Sequence, residues 1–89
     1  MSNVDKYNNV WAIFSPELED DKVSVYIGYG NWMDANTNLY AWLEPPIGEV
    51  GAVMFDTERD ANIFKHKYNL ENCKVVNVGD FIVYWFDRD

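Results

Sequence analysis

Catalysis and metal binding need side chains that ligate, attack or carry protons, and this chain has few of them. It holds one histidine, His66, and one cysteine, Cys73. His66 lies between Lys65 and Lys67, where it suits a surface cation better than a general base. A lone thiol such as Cys73 most often packs as a small hydrophobe, and it has no partner for an internal disulfide. One His and one Cys cannot build a zinc site from the usual ligands without several carboxylates. The most metal-like spacing is Asp34-x-Asn36-x-Asn38, which matches positions one, three and five of a calcium loop. Position six requires Gly for its sharp turn and holds Leu39, and position twelve requires a bidentate Glu and holds Pro45. Glu44 falls one place early. Asp and Asn at this spacing suit a turn, because their side chains bond nearby backbone. "GYG" at 28–30 has no helix pattern after it, so no phosphate-cradling loop is expected. We therefore expect no metal, no cofactor and no enzymatic activity.

What the chain has in abundance is negative charge. The net charge is −8 over 89 residues. Residues 1–58 carry ten acids against Lys6 and Lys22, while residues 59–89 carry five acids against five bases. Such a field repels nucleic-acid phosphates and anionic lipid, and it speeds encounter with a basic partner. Four of the acids, Glu17, Glu19, Asp20 and Asp21, crowd into "SPELEDDK". That stretch reads as a solvated hairpin tip or as an acidic knob whose carboxylates stand in for phosphates in a basic groove. Asp34, Glu44 and Glu49 extend the acidic set. Trp32 and Trp42 flank the Asp/Asn stretch, and they either plug the core or anchor a partner, as aromatic residues do at interface hot spots.

The elements that must position these residues follow from periodicity. "NVWAIFS" (9–15) is a β-prone run that ends at Pro16. "KVSVYIGYG" (22–30) alternates Val23, Val25, Ile27 and Tyr29 with Ser24, Tyr26 and Gly28, the period-2 pattern of a half-buried strand. "NLYAWLE" reads as a third strand, with Leu39, Ala41 and Leu43 on one face, and "AVMFD" (52–56) as a fourth. "TERDANIFKHKYN" is a helix. Thr57 and Asp60 form a capping box, Ala61, Phe64 and Tyr68 make an apolar stripe, and Asn69 is a left-handed cap. "CKVVNVGDFIVYWFDRD" reads as two strands joined across Gly79-Asp80.

The expected fold is therefore α+β in a single domain, 1–89. An antiparallel sheet of five to six strands, in the order β-β-β-β-α-β-β, carries one helix at about 57–68 packed on one face. One short helix leaves the second face of that sheet uncovered. With 48% hydrophobic and 17% aromatic residues the chain has ample material for a core, so it is not a disordered acidic tail. "MSNVDKYNNV" lacks the apolar core of a signal peptide and no run reaches a membrane span, which gives a cytoplasmic expectation.

The segment "FDTERDANIFKHKY" resembles a pattern of small phage-encoded α+β proteins, in which a strand is followed by D-A-x-x-F-K. Asp60, Ala61, Phe64 and Lys65 are the matching positions. Small size and acidity are also similar to phage proteins that inhibit host factors, some by imitating DNA. That resemblance implies action in host-cell cytoplasm and carries over no functional residue. The resulting expectation is a non-enzymatic, acidic protein-binding module that occludes a basic, nucleic-acid-binding surface of a partner protein. It would bind through Glu17, Glu19, Asp20, Asp21, Trp32, Asp34, Trp42, Glu44 and Glu49, without contacting nucleic acid or membrane itself. One alternative is a structural subunit that assembles with copies of itself through the uncovered sheet face and the C-terminal "FIVYWF" strand. Another is a single-strand nucleic-acid binder using Tyr26, Tyr40, Trp42 and Tyr84 with Lys65, Lys67, Lys74 and Arg88.

Overall fold

Trp11–Phe14 is apolar on both faces, and it forms the central strand, β1, of an antiparallel sheet. The structure is a computed structural model that describes residues 6–15, 23–35 and 38–85. β2 (Ser24–Gly28), β3 (Asn31–Asp34), β4 (Met54–Phe55) and β5 (Lys74–Asn77) complete a five-stranded sheet among these residues. β5 pairs with the whole of β1, from Trp11↔Asn77 to Phe14↔Lys74. A strand has two hydrogen-bonding edges, so β2 and β4 must share the other one. β2 meets β1 at Phe14↔Val25, and β4 meets it at Trp11↔Phe55 and Ala12↔Met54. β2 thus splays away from β1, and the chain leading into β4 enters the gap, where Val53 N–H donates to the Tyr26 carbonyl at 3.1 Å. The sheet curls into a half-barrel.

Among the described residues three helices cover this sheet: α1 (Leu39–Leu43), α2 (Glu58–Lys67) and α3 (Val78–Trp85). The expected α+β class and antiparallel sheet are therefore present. The expected order with a single helix is not, because two segments read as strands are helices. In "LYAWL" a period-2 reading groups Leu39, Ala41 and Leu43. The buried residues are Leu39, Trp42 and Leu43, at i, i+3 and i+4, with Tyr40 exposed. In "VGDFIVYW" the buried set is Val78, Phe81 and Ile82, again at helical spacing, with Val83 and Tyr84 exposed.

The start of α3 explains why Gly79-Asp80 is no hairpin. Asn77 Oδ1 accepts from Asp80 N–H at 2.9 Å, an N-cap geometry, while its amide donates to the Asn8 carbonyl at 2.7 Å. Glycine at 79 serves a close approach. A Cβ there would stand 3.0 Å from Asn8 Oδ1 and 3.1 Å from the Tyr7 carbonyl. The third strand of the sheet lies earlier than expected, at Asn31–Asp34.

α1 and α3 pack on the face that a single helix would have left bare. Ala12, Phe14 and Val25 meet Leu39, Trp42, Leu43, Val78, Phe81 and Ile82 there in one buried cluster. On the opposite face α2 lies across β1, β4 and β5, where Ile13 and Ala61 are fully buried. α2 follows the sequence reading closely. Thr57 Oγ1 accepts from Asp60 N–H at 3.1 Å, and Asn69 is left-handed (φ 60°). Leu70 N–H returns to the Lys65 carbonyl (2.8 Å) and Asn69 N–H to that of His66 (3.3 Å), a Schellman ending.

Two substitutions test these assignments by urea denaturation. Trp42→Phe leaves the Ala35 carbonyl without its indole donor and should cost about 2 kcal/mol. Asn77→Ala removes the cap of α3 and should cost about 1 kcal/mol. No loss in Asn77→Ala would argue against the strand-to-helix junction at 77–78.

Candidate functional site

The acidic residues singled out from sequence have different fates. Glu17, Glu19, Asp20 and Asp21 lie outside the described residues. Asp34 is exposed at the end of β3, paired in register with Ser24, so it stands at the end of the sheet where β2 begins. Glu49 is exposed in the turn in which its N–H donates to the Pro46 carbonyl (3.0 Å). Glu44, at the C-terminal end of α1, is occupied internally. It accepts from the Tyr7 hydroxyl and from Lys6 Nζ at 3.1 Å. Glu44 therefore ties the turn before β1 to α1, while its side chain stays exposed.

The two tryptophans also separate. Trp42 is 0% exposed and donates its indole N–H to the Ala35 carbonyl at 2.8 Å, so in this fold it cannot touch a partner. Trp32 is 37% exposed on β3 and lies edge-on to Tyr26, ring centroids 5.2 Å apart. Among the described residues, no three His, Cys, Asp or Glu side chains come together closely enough to hold a metal ion. His66 Nδ1 lies 2.7 Å from Glu71 Oε1 at the surface. Burial pushes the Cys73 thiol up, against the pull of the Lys65 charge, which disfavours the reactive thiolate.

Residues far apart in sequence build one concave feature. A groove of about 540 Å³ runs between the β2–β3 hairpin and the C-terminal end of α2. Tyr26, Val53, Phe64, Tyr68 and Leu70 line it. The splay between β1 and β2 puts Val53 beside Tyr26, and the Schellman turn carries Leu70 back toward Phe64 and Tyr68. At the hairpin tip Gly28 (φ 101°), Tyr29 (φ 54°) and Gly30 (φ 79°) are all left-handed, and Gly30 N–H donates to the Tyr26 hydroxyl at 3.0 Å. Sequence periodicity had placed Phe64 and Tyr68 on one stripe of α2 but could not say that Tyr26 faces them. The available signal was the pair of glycines around Tyr29, which marks a tight backbone turn.

The Tyr7–Glu44 contact sets a pH dependence. The Tyr7 hydrogen bond first, then that of Lys6 and its charge, hold the Glu44 carboxyl below its ordinary value of 4.5. A carboxylate lowered on folding contributes stability above its unfolded pKa, and that contribution is lost as pH falls through the folded one. Burial first, then the Glu44 hydrogen bond and charge, push the Tyr7 phenol above its ordinary 10.0. The folded chain keeps that proton where the unfolded chain releases it, so stability also falls as pH rises above 10. Tyr7→Phe should move the Glu44 carboxyl resonance, followed by carbon NMR, back toward an ordinary titration and flatten the alkaline loss of stability. An unchanged Glu44 titration would show that Tyr7 does not hold it. In comparisons with protein-family models, curated proteins and solved structures, nothing matches this chain.

Proposed function

We propose that this protein is a non-enzymatic binding module whose acidic surface directs it to a basic, nucleic-acid-binding face of a partner protein and blocks it. The observation that carries the reading is the state of the carboxylates. Among the described residues only Glu44, with Lys6, makes an ion pair that does not depend on histidine protonation, and Glu71 meets His66. Asp34, Glu49, Asp56, Glu58 and Asp60 are exposed without one, in a chain of net charge −8. Carboxylates left unpaired within a fold project their field outward, which steers encounter with a positive surface. Trp32, half-exposed beside Asp34 on β3, is the aromatic group best placed to anchor such a contact.

The self-assembling alternative drew on a bare sheet face, and α1 and α3 occupy that face.

The test is capture from host lysate by the tagged protein, followed by association kinetics with the captured partner. Two variants are compared with the parent: one neutralises Glu17, Glu19, Asp20 and Asp21, the other Asp34 and Glu49. Capture should weaken with salt and be competed by duplex DNA, and at least one variant should associate about tenfold more slowly. Capture that is indifferent to salt, to DNA and to both variants would sink the reading.

A further inference from the structure

The groove between the hairpin and α2 differs in charge from the acidic surface, and the two adjoin at Tyr26, whose ring meets Trp32. Its volume, about 540 Å³, falls in the usual range for small-molecule sites. None of the residues lining it is charged. Tyr26 and Phe64 lie 6.0 Å apart at 60°, and Phe64 and Tyr68 4.5 Å apart at 41°. Tyr26 is buried and forms the floor, so a flat guest would meet chiefly the exposed Tyr68 ring and the partly buried Phe64.

Two lysines stand beside its α2 end, outside the residues that line it. Lys67 Nζ stands 5.5 Å from the centroid of the Tyr68 ring that lines the groove. Lys65 Nζ is tied to the Cys73 carbonyl at 3.2 Å, next to the turn that carries Leu70. Glu71, the adjacent acid, faces His66. On the other wall the acid of β3, Asp34, is at the strand end away from the 28–30 tip. A cationic guest would meet Lys67, whereas an anionic one would pair with it.

The tip adds a second line of argument. A left-handed conformation disfavours any side chain, yet position 29 between two left-handed glycines holds a tyrosine. Its side chain is 101% exposed, so no packing within the fold offsets that strain. A tyrosine there gains purpose if its ring closes over a ligand at the groove mouth.

We propose that this groove binds a small planar molecule carrying one anionic group. Two sources share that chemistry, an aryl carboxylate and a nucleoside monophosphate. The site is independent of the acidic-surface reading and would survive its failure.

The experiment is a two-dimensional amide NMR titration of the whole chain with indole-3-acetate and with adenosine monophosphate. The neutral partners indole-3-acetamide and adenosine run alongside. One charged probe should shift the Gly28, Gly30, Val53 and Leu70 signals saturably, and its neutral partner should bind about fivefold more weakly. Which charged probe binds identifies the source. Lys67→Met should erase the difference between charged and neutral probes. Tyr29→Gly should be at least as stable as the parent to urea and bind about threefold more weakly. If neither charged probe shifts those amides at millimolar concentration, or if charged and neutral forms bind alike, the proposal is overturned.

Discussion

The fold depends on burying Trp42 whole. An indole ring is the largest side chain available to a core, but its N–H must find an acceptor once water is removed. Here the acceptor is the Ala35 carbonyl, seven residues earlier, which ties α1 back to the end of β3. Phe14 meets Trp42 edge-on at 5.9 Å, and Phe81 meets both, at 5.8 Å from Trp42 and 4.6 Å from Phe14. Three aromatic rings thereby join the central strand to α1 and α3. Neither helix is long enough to persist by itself in water, and it is this contact that holds them.

A second constraint comes from β1 having three partners on two edges. Because β5 takes one edge completely, β2 and β4 divide the other, and β2 must diverge. The divergence curls the sheet and opens the space beside Tyr26 that Val53, Phe64, Tyr68 and Leu70 line. The same geometry that closes the core on one face therefore creates the concavity on the other. Charge follows a parallel division. The groove lining is uncharged, with Lys67 near the Tyr68 ring, while unpaired carboxylates lie on β3, in the turn at 46–49 and at the start of α2.

Legibility from sequence varied with the length of each signal. α2 was readable end to end, because a cap at Thr57, an acidic first turn, an apolar stripe and Asn69 all agree over a dozen residues. β1, β2 and β5 were readable through their β-prone or alternating apolar runs. Residues 39–43 and 78–85 misled, because so short an apolar run satisfies period 2 and period 3.6 at once. Leu39 and Leu43 share a face under either rule. In the site, the exposure of Asp34 and Glu49 agrees with their residue type. The engagement of Glu44 does not follow from its type, since its partners Lys6 and Tyr7 lie more than thirty residues away.

By itself, then, the amino-acid order determined the character of the surface and the local elements. The negative excess, the aromatic surplus and the boundaries of α2 are properties of neighbouring residues and need no third dimension. Tertiary structure decided the rest: that 39–43 and 78–85 are helices, that Trp42 is inside and Trp32 half outside, and that Tyr26 faces Phe64. The physical reason is that short apolar segments gain most of their stability from the surface they cover, and that surface exists only once the sheet has formed.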